Sequence, residues 1–295
     1  MGAKLRETRR RIRSIQSTMR ITRAMELIAA ARIVRAQQRV RHARPYADLI
    51  TAVLQDLTYR EAELTHPLLE GRPERRSAAV FVVTSDRGLA GAYNANVLRT
   101  AEELFSKLRA EGMEPRVYVT GRKGVAYFRF RDRPIVRSWT GFSEGPSYEH
   151  AKELAEELIR AFVEREVDEI HGVFTDYVSG MVQRPVARRF VPLEVVEVEA
   201  VPPRPVPLYL FEPSPEAILD ALLPRYVEER VFLALLESAA SEHAARRRAM
   251  SAATDNAEEL IKVFTRVANQ ARQAEITQEI MEIVGGAEAL AGAES

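Results

Sequence analysis

Two long stretches without helix-breaking residues lie at the ends of the chain and constrain its fold more than any other feature. The first 57 of the 295 residues contain one proline, Pro45, and one glycine, Gly2, while residues 225–284 contain neither. Each stretch can therefore form one continuous helix, about 80 Å and about 90 Å long at ~1.5 Å per residue. Because a rod of this length cannot bury its apolar face alone, each predicted helix needs a partner.

The heptad pattern indicates that the two rods pair with each other. In the first stretch the two seam positions hold Leu5, Ile12, Met19, Glu26, Ile33 and Val40, and then Thr8, Ile15, Thr22, Ala29, Ala36 and Ala43. In the last stretch they hold Phe232, Ala239, Ala253, Leu260, Val267, Ala274 and Met281, broken by Arg246, and then Leu235, Ala249, Val263 and Val284, broken by Glu242, Asn256, Gln270 and Thr277. Apolar and small residues at this spacing are typical of a coiled coil.

Between the rods, short β-branched runs alternate with helical stretches. Predicted strands are Ala78–Thr84, Arg116–Thr120, Ile135–Trp139 and Glu169–Thr175, separated by predicted helices near Asn94–Glu111, Lys123–Arg131 and Tyr148–Glu166. This alternation favours an α/β domain with a parallel sheet. We therefore predict an N-terminal coiled-coil helix at 1–57, a globular α/β domain at 77–210 and a C-terminal coiled-coil helix at 214–291. Since the chain leaves the rod and returns to it, the helices are expected to pair antiparallel.

Charge is distributed unevenly along the chain. Residues 1–44 hold 13 Lys or Arg against Glu7 and Glu26, a local charge of +11, whereas the whole chain has a net charge of +1. Such a basic arm is typical of a protein that binds nucleic acid, an anionic membrane or an acidic partner, and it can equally be the solvated face of a long helix. A basic coiled coil that binds nucleic acid is one hypothesis, although few aromatic residues are interleaved for base stacking.

The sequence offers no active site of its own. The chain has no cysteine, which excludes thiol catalysis and zinc fingers. Ser85–Gly91 follows the first predicted strand, where a phosphate loop of a nucleotide-using α/β enzyme would lie, but its two glycines do not complete the fingerprint, and a tight structural turn is the alternative. The scattered histidines lack metal-binding spacing. We expect no catalytic residue, no metal and no cofactor.

The end of the last helix carries carboxylates in an unusual place. Glu275, Glu279 and Glu282 are spaced by four and three residues and so share a helical face. Carboxylates near a helix C-terminus oppose the helix dipole. The pattern predicts either an external basic partner or a plain solvated face.

Four motifs in the chain resemble the gamma subunit of rotary ATP synthase. They are Ser14–Glu26 (SIQSTMRITRAME), Ser85–Asn94 (SDRGL-x-G-x-YN), Ala249–Ala257 (AM followed by ATDNA) and Ile276–Ala289 (IT-x-E-x-x-E-x-x-x-GA-x-A). They lie in the family's order and cover both ends and the centre of the chain. The resemblance implies an antiparallel coiled coil of long N- and C-terminal helices plus a Rossmann-like α/β globular domain.

The resemblance also implies a non-catalytic rotor. The rod would turn inside a ring of alpha and beta subunits, while its foot would stand on a membrane c ring beside the epsilon subunit, with no role for nucleic acid. Rotation would change the nucleotide affinity of each beta subunit by differential contact. By family correspondence, coupling residues or contacts with beta are Met25, Arg246, Gln273, Thr277, Glu279 and Glu282, and the foot near the c ring includes Tyr209, Phe211 and Glu212.

Two departures from the family pattern limit these expectations. The SDRGL motif is usually followed by cysteine, and here Ala90 stands in that place, so thiol chemistry is not essential. The cysteine-containing regulatory insertion of the chloroplast type is also absent. Because no presequence is evident, we expect a bacterial enzyme, with this chain peripheral on the cytoplasmic face of the inner membrane.

Overall fold

The computed structural model describes residues 2–60, 66–69, 71–193 and 214–293. It divides into two compact units, one formed by Met1–Ile28 with Arg247–Ser295 and the other by Ala29–Arg246. The helices and strands follow in the order α1 Gly2–Arg60, β1 Ser77–Val83, α2 Tyr93–Ala110, β2 Glu114–Thr120, α3 Arg122–Phe130, β3 Ile135–Trp139, α4 Tyr148–Val163, β4 Glu169–Tyr177, β5 Gln183–Val191 and α5 Pro215–Ala293. In the described part of the chain, no helix is long and apolar enough to cross a membrane.

The second unit is built on a five-stranded sheet in the order β3-β2-β1-β4-β5, parallel except for the β4–β5 pair. Successive residues of a strand point to opposite faces, and β1 divides its side chains accordingly. Ala79, Phe81 and Val83 face a core shared with α4, α5 and the end of α1, while Ala78, Val80 and Val82 pack on α2 and α3. The arrangement confirms the predicted α/β class with a parallel-dominated sheet.

Strand β5 was not predicted from the sequence. It contains Pro185, which pairs with Thr175 of β4 in an antiparallel ladder. Proline lacks an amide hydrogen and is therefore confined to edge strands and bulges, and β5 is an edge of this sheet. The strand also carries Arg184, Arg188 and Arg189, which hide the apolar alternation that the strand prediction relied on.

Within the second unit, α1 and α5 run antiparallel. Arg44 of α1 pairs with Glu237 of α5 at 2.9 Å. Nearer the other end of the unit, Arg32 of α1 and Arg246 of α5 both pair with Glu144. Going from the second of these contacts to the first, residue numbers rise in α1 and fall in α5, as antiparallel pairing requires.

Within the first unit, the two helices are joined by a buried hydrogen bond between the hydroxyls of Thr22 and Thr254, 2.8 Å apart. The heptad register predicted for α1 is confirmed, since every residue assigned to its seam is buried or half-buried. At this point the two threonines keep the side chains between the helices small.

The register predicted for the second half of α5 is wrong by one residue. Leu260 and Val263, assigned to the seam, are 47% and 37% exposed. In this half the buried residues are Met250, Thr254, Ala257 and Ala268, and the half-buried ones are Ala249, Ser251, Ala253, Ile261, Phe264, Val267, Ala271 and Glu275. Ala249, Ala253 and Val267 of the predicted seam therefore lie at the edge of the buried face. The buried face includes the large apolar residues Ile261 and Phe264. The predicted seam is interrupted by the side-chain amides of Asn256 and Gln270. Thr254 is not part of the predicted register, and its hydroxyl is hydrogen-bonded within the seam.

Candidate functional site

The C-terminal part of α5 is not covered by the described residues of α1. α1 begins at Gly2, about 20 residues before Thr22. Antiparallel pairing anchored at Thr22 and Thr254 therefore ends near residue 274, since both helices rise ~1.5 Å per residue. Every side chain described from residue 276 to residue 285 is exposed.

This segment, residues 276–285, is amphipathic despite its exposure. Ile276, Ile280 and Ile283 are 48%, 55% and 72% exposed and lie at spacings of four and three, so they form one apolar stripe. Met281 and Val284, 68% and 48% exposed, widen it. Contiguous exposed apolar surface of this kind marks a protein contact. We call residues 276–285 the α5 tip.

The structure places four of the predicted coupling residues at or beside the α5 tip. Gln273, Thr277, Glu279 and Glu282 are all exposed. The Thr277 hydroxyl donates to the Gln273 carbonyl at 2.9 Å, and the Gln278 amide donates to Glu282 at 2.8 Å. At 100° per residue, the carboxylates lie about a quarter of a turn from the isoleucine stripe, so the tip presents an apolar face with an acidic face beside it. Sequence analysis found the acidic face and missed the apolar one, although the i, i+4, i+7 spacing of the isoleucines was visible.

Met25 lies in a second apolar stripe, on the outward side of α1. It is half-buried, and Ile21 and Ile28, four residues before it and three after it, are 58% and 53% exposed. Residues at this spacing share one helical face. Met25 was named only through the resemblance, whereas the stripe with Ile21 and Ile28 follows from the structure.

Arg246 occupies a different environment from the other predicted coupling residues. Its side chain is 7% exposed and donates to Glu242 at 2.7 Å and to the Gly88 carbonyl at 3.2 Å. It also pairs with Glu144 at 3.4 Å. The guanidinium is therefore not presented to a neighbouring subunit, and any effect it has on coupling must pass through the loop at Gly88.

Arg246 contacts the Ser85–Gly91 loop. Polar groups of this loop form hydrogen bonds within the chain. The Ser85 amide donates to Asn94 at 2.9 Å and the Asp86 amide to Ser143 at 2.8 Å. The Asp86 carboxylate accepts from the amides of Gly141, Ser143 and Arg122 at 2.8, 3.0 and 3.2 Å. The side chain of Asp86 thus occupies the amide at the start of α3 and two amides of the loop after β3, so the loop is held in place by hydrogen bonds within the chain. The structure favours the tight-turn alternative over a phosphate loop.

The remaining predicted site residues, Tyr209, Phe211 and Glu212 of the foot, lie outside the described residues. Over the described ranges, no group of three or more His, Asp or Glu side chains could hold a metal ion.

Comparison with known proteins identifies the family of the chain. The family model described as ATP synthase matches residues 4–290. The ATP synthase gamma chain of Acidothermus cellulolyticus is 60% identical over 295 residues, covering 98% of each chain. A Euglena gracilis mitochondrial ATP synthase structure of OSCP, F1 and c-ring contains a chain that is similar in fold, with a TM-score of 0.70, 17% identity and coverage of 100% of this chain and 97% of that chain.

A Tetrahymena thermophila structure of the mitochondrial ATP synthase central stalk and c-ring also contains a similar fold. Its TM-score is 0.61 at 20% identity, covering 79% of this chain and 99% of that chain. At these identities the two solved structures show the fold alone, whereas the family model and the 60% identical relative span nearly the whole sequence. The chain therefore belongs to the gamma chain family of ATP synthase.

Proposed function

We propose that this chain is the non-catalytic central rotor of an F-type ATP synthase. In this role it turns inside the alpha and beta subunits and couples ion flow through the membrane sector to ATP synthesis or hydrolysis at the beta subunits. The observation that carries the proposal is the α5 tip, an exposed helix whose apolar stripe is not covered by any residue of α1 that the structure describes. A rotor helix that ends inside a ring of other subunits needs an exposed apolar surface of this kind to contact them.

The stripe at Met25 supports the same role. A half-buried methionine between two exposed isoleucines offers a small apolar contact on one side of the rod. Exposed arginines near the stripe on α1, among them Arg20 and Arg23, suit an acidic surface on a beta subunit. Because the apolar stripe lies on one side of the helix, rotation would present it to one neighbour at a time.

The assembly follows from family membership and remains part of the proposal. The partners are the alpha, beta and epsilon subunits and the membrane c ring, with the foot at Tyr209, Phe211 and Glu212 facing the c ring. We assign the rod to residues 1–57 and 214–291 and the globular domain to 77–210. The chain is placed peripherally on the cytoplasmic face of a bacterial inner membrane.

The test is reconstitution of the full chain with its cognate alpha and beta subunits. The double substitution Ile276→Ser and Ile280→Ser removes two members of the stripe without touching a described intramolecular contact. A matched control is Val163→Ser, 56% exposed at the end of α4. We expect the tip variant to lose co-elution with alpha and beta and most of the ATPase turnover, while its circular dichroism is unchanged.

The control should assemble and support turnover like the parent chain. Normal assembly and turnover with the tip variant would overturn the assignment of the tip as the surface through which the rotor contacts the alpha and beta subunits.

A further inference from the structure

A basic cleft lies in the second unit between α1, α5 and the loop that leads into α4. Its cavity measures 160 Å³ and is lined by Arg32, Arg35 and Arg39 of α1, Glu144 and Gly145 of the loop, and His243 of α5. The three arginines are three and four residues apart, so they share one face of α1. Gly145 leaves room for one of them, because a Cβ at this glycine would lie 3.3 Å from Nη1 of Arg39.

Two of the three arginines are without a counterion. Arg32 pairs with Glu144. Among the described residues, the side chains of Arg35 and Arg39 make neither an ion pair nor a hydrogen bond. Each guanidinium therefore keeps its full set of donors, arranged in the planar fork that matches an oxyanion.

The acidic residue of the cleft is already neutralised. Glu144 is shared by Arg32, by Arg246 at 3.4 Å and by Arg87 at 3.7 Å. The cleft lining itself holds the three guanidiniums of Arg32, Arg35 and Arg39 against the one carboxylate of Glu144, which leaves a surplus of two positive charges. Like charges held this close are stabilised by a bound anion.

On the side of the cleft formed by α5, the buried ring of His243 can accept one more hydrogen bond. His243 is 1% exposed, and its Nε2 donates to the Glu144 carbonyl at 3.1 Å. Burial lowers the pKa of His243, so the ring is neutral near pH 7 and Nδ1 is an acceptor. Nδ1 has no hydrogen-bond partner in the described structure. A monohydrogen phosphate is an oxyanion that carries one P–OH donor as well as acceptor oxygens.

We propose that this cleft binds a phosphate-type oxyanion, held chiefly by the guanidiniums of Arg35 and Arg39. The site is distinct from the Ser85–Gly91 loop, whose amides are occupied within the chain. The inference goes beyond the rotor function, since it concerns this chain alone. Binding would tie α1 to α5 and to the loop before α4, and so stiffen the second unit.

The experiment titrates the full chain with inorganic phosphate by isothermal calorimetry and by ³¹P line broadening, at ionic strength held constant with chloride. We expect saturable binding with one site per chain, and at least a tenfold loss of affinity in the double variant Arg35→Ser, Arg39→Ser. The matched control Arg13→Ser, Arg41→Ser removes two exposed arginines of α1 outside the cleft and should bind like the parent chain. The charge-preserving Arg35→Lys, Arg39→Lys variant should bind more weakly than the parent, because lysine cannot form the bidentate contact.

Acetate under the same conditions distinguishes phosphate from the carboxylate of a protein side chain. We expect no saturable response to acetate. The proposal is overturned by non-saturable phosphate binding, by equal losses in the two serine double variants, or by acetate binding as tightly as phosphate.

Discussion

Glu237→Gln is expected to remove a pH dependence of stability that a buried carboxyl group creates in the second unit. Glu237 of α5 is 6% exposed and accepts a hydrogen bond from Arg44 of α1 at 2.9 Å. Burial, and then the charge and hydrogen bond of the neighbouring Asp176 carboxyl, raise the pKa of Glu237 to about 7, while Arg44 opposes this shift. Asp176 in turn pairs with Arg188 of β5, and Gln37 of α1 donates to Tyr177 of β4 beside it.

The sign and size of the effect follow from linkage. Because the pKa rises from 4.5 to about 7 on folding, the folded state holds this proton more tightly than the unfolded state. The associated stability is fully present below pH 4.5 and is lost as the pH rises through 7. At about 1.4 kcal/mol per pKa unit, the whole loss is about 3 kcal/mol, of which about 2 kcal/mol falls between pH 5.5 and pH 8.

Glutamine has nearly the same shape and does not ionise. Its Oε1 still accepts from Arg44, and its amide donates permanently to Asp176. The free energy of unfolding of Glu237→Gln should therefore exceed that of the parent chain at pH 8, and the difference should shrink by about 2 kcal/mol towards pH 5.5.

The assay is urea denaturation at half-unit pH steps, followed by tryptophan fluorescence. Trp139 is the chain's one tryptophan and is 7% exposed at the end of β3, so its signal reports the second unit. The matched control is Glu103→Gln, which makes the same substitution at an exposed carboxylate on α2. Parallel pH curves for Glu237→Gln and the parent chain would refute the reasoning.

Three further substitutions test the packing of the second unit by the same denaturation assay. Leu154→Ala empties a fully buried position of α4 and should cost about 2–5 kcal/mol, against less than about 0.5 kcal/mol for the exposed Val163→Ala; equal effects would contradict the predicted core. Gly172→Ala places a Cβ against two phenylalanine rings and should cost about 1–3 kcal/mol, whereas Gly180→Ala, with 3.8 Å to its nearest neighbour, should be tolerated. Arg246→Ala leaves its buried carboxylate partner unpaired and should cost about 3–5 kcal/mol, and a loss under about 1 kcal/mol would show that the network is not structural.

The parts of the fold that local pattern specifies could be predicted from the sequence. Strands β1 to β4 lie within a few residues of the predicted runs, since short β-branched segments between helices have few alternatives. The seam of α1 was predicted correctly because large apolar residues such as Leu5, Ile33 and Val40 define it. Strand β5 could not be predicted in this way, because its proline and arginines are tolerated only at a sheet edge, and edge position is a property of the tertiary fold.

The candidate site was likewise predictable from the sequence only in part. The register of α5 is harder to predict because small residues occur on both candidate faces near Thr254, and the hydroxyl contact between Thr22 and Thr254 depends on the tertiary fold. The resemblance identified Arg246 as a coupling residue but did not show that its side chain is buried. Its partners Gly88 and Glu144 are more than 100 residues away in sequence, so local pattern does not reveal these contacts. The exposure of the α5 tip depends on where α1 begins relative to it, which no local pattern contains.

The most direct test of the rotor account is to observe rotation. The chain has no cysteine, so Glu103→Cys on the exposed face of α2 provides a single attachment point for an optical probe. The labelled chain is assembled with cognate alpha and beta subunits that are fixed to a surface, and ATP is added. The account predicts stepwise rotation of the probe in one direction, at a rate that follows ATP turnover and stops without ATP. Sustained ATP hydrolysis with a stationary probe would contradict it.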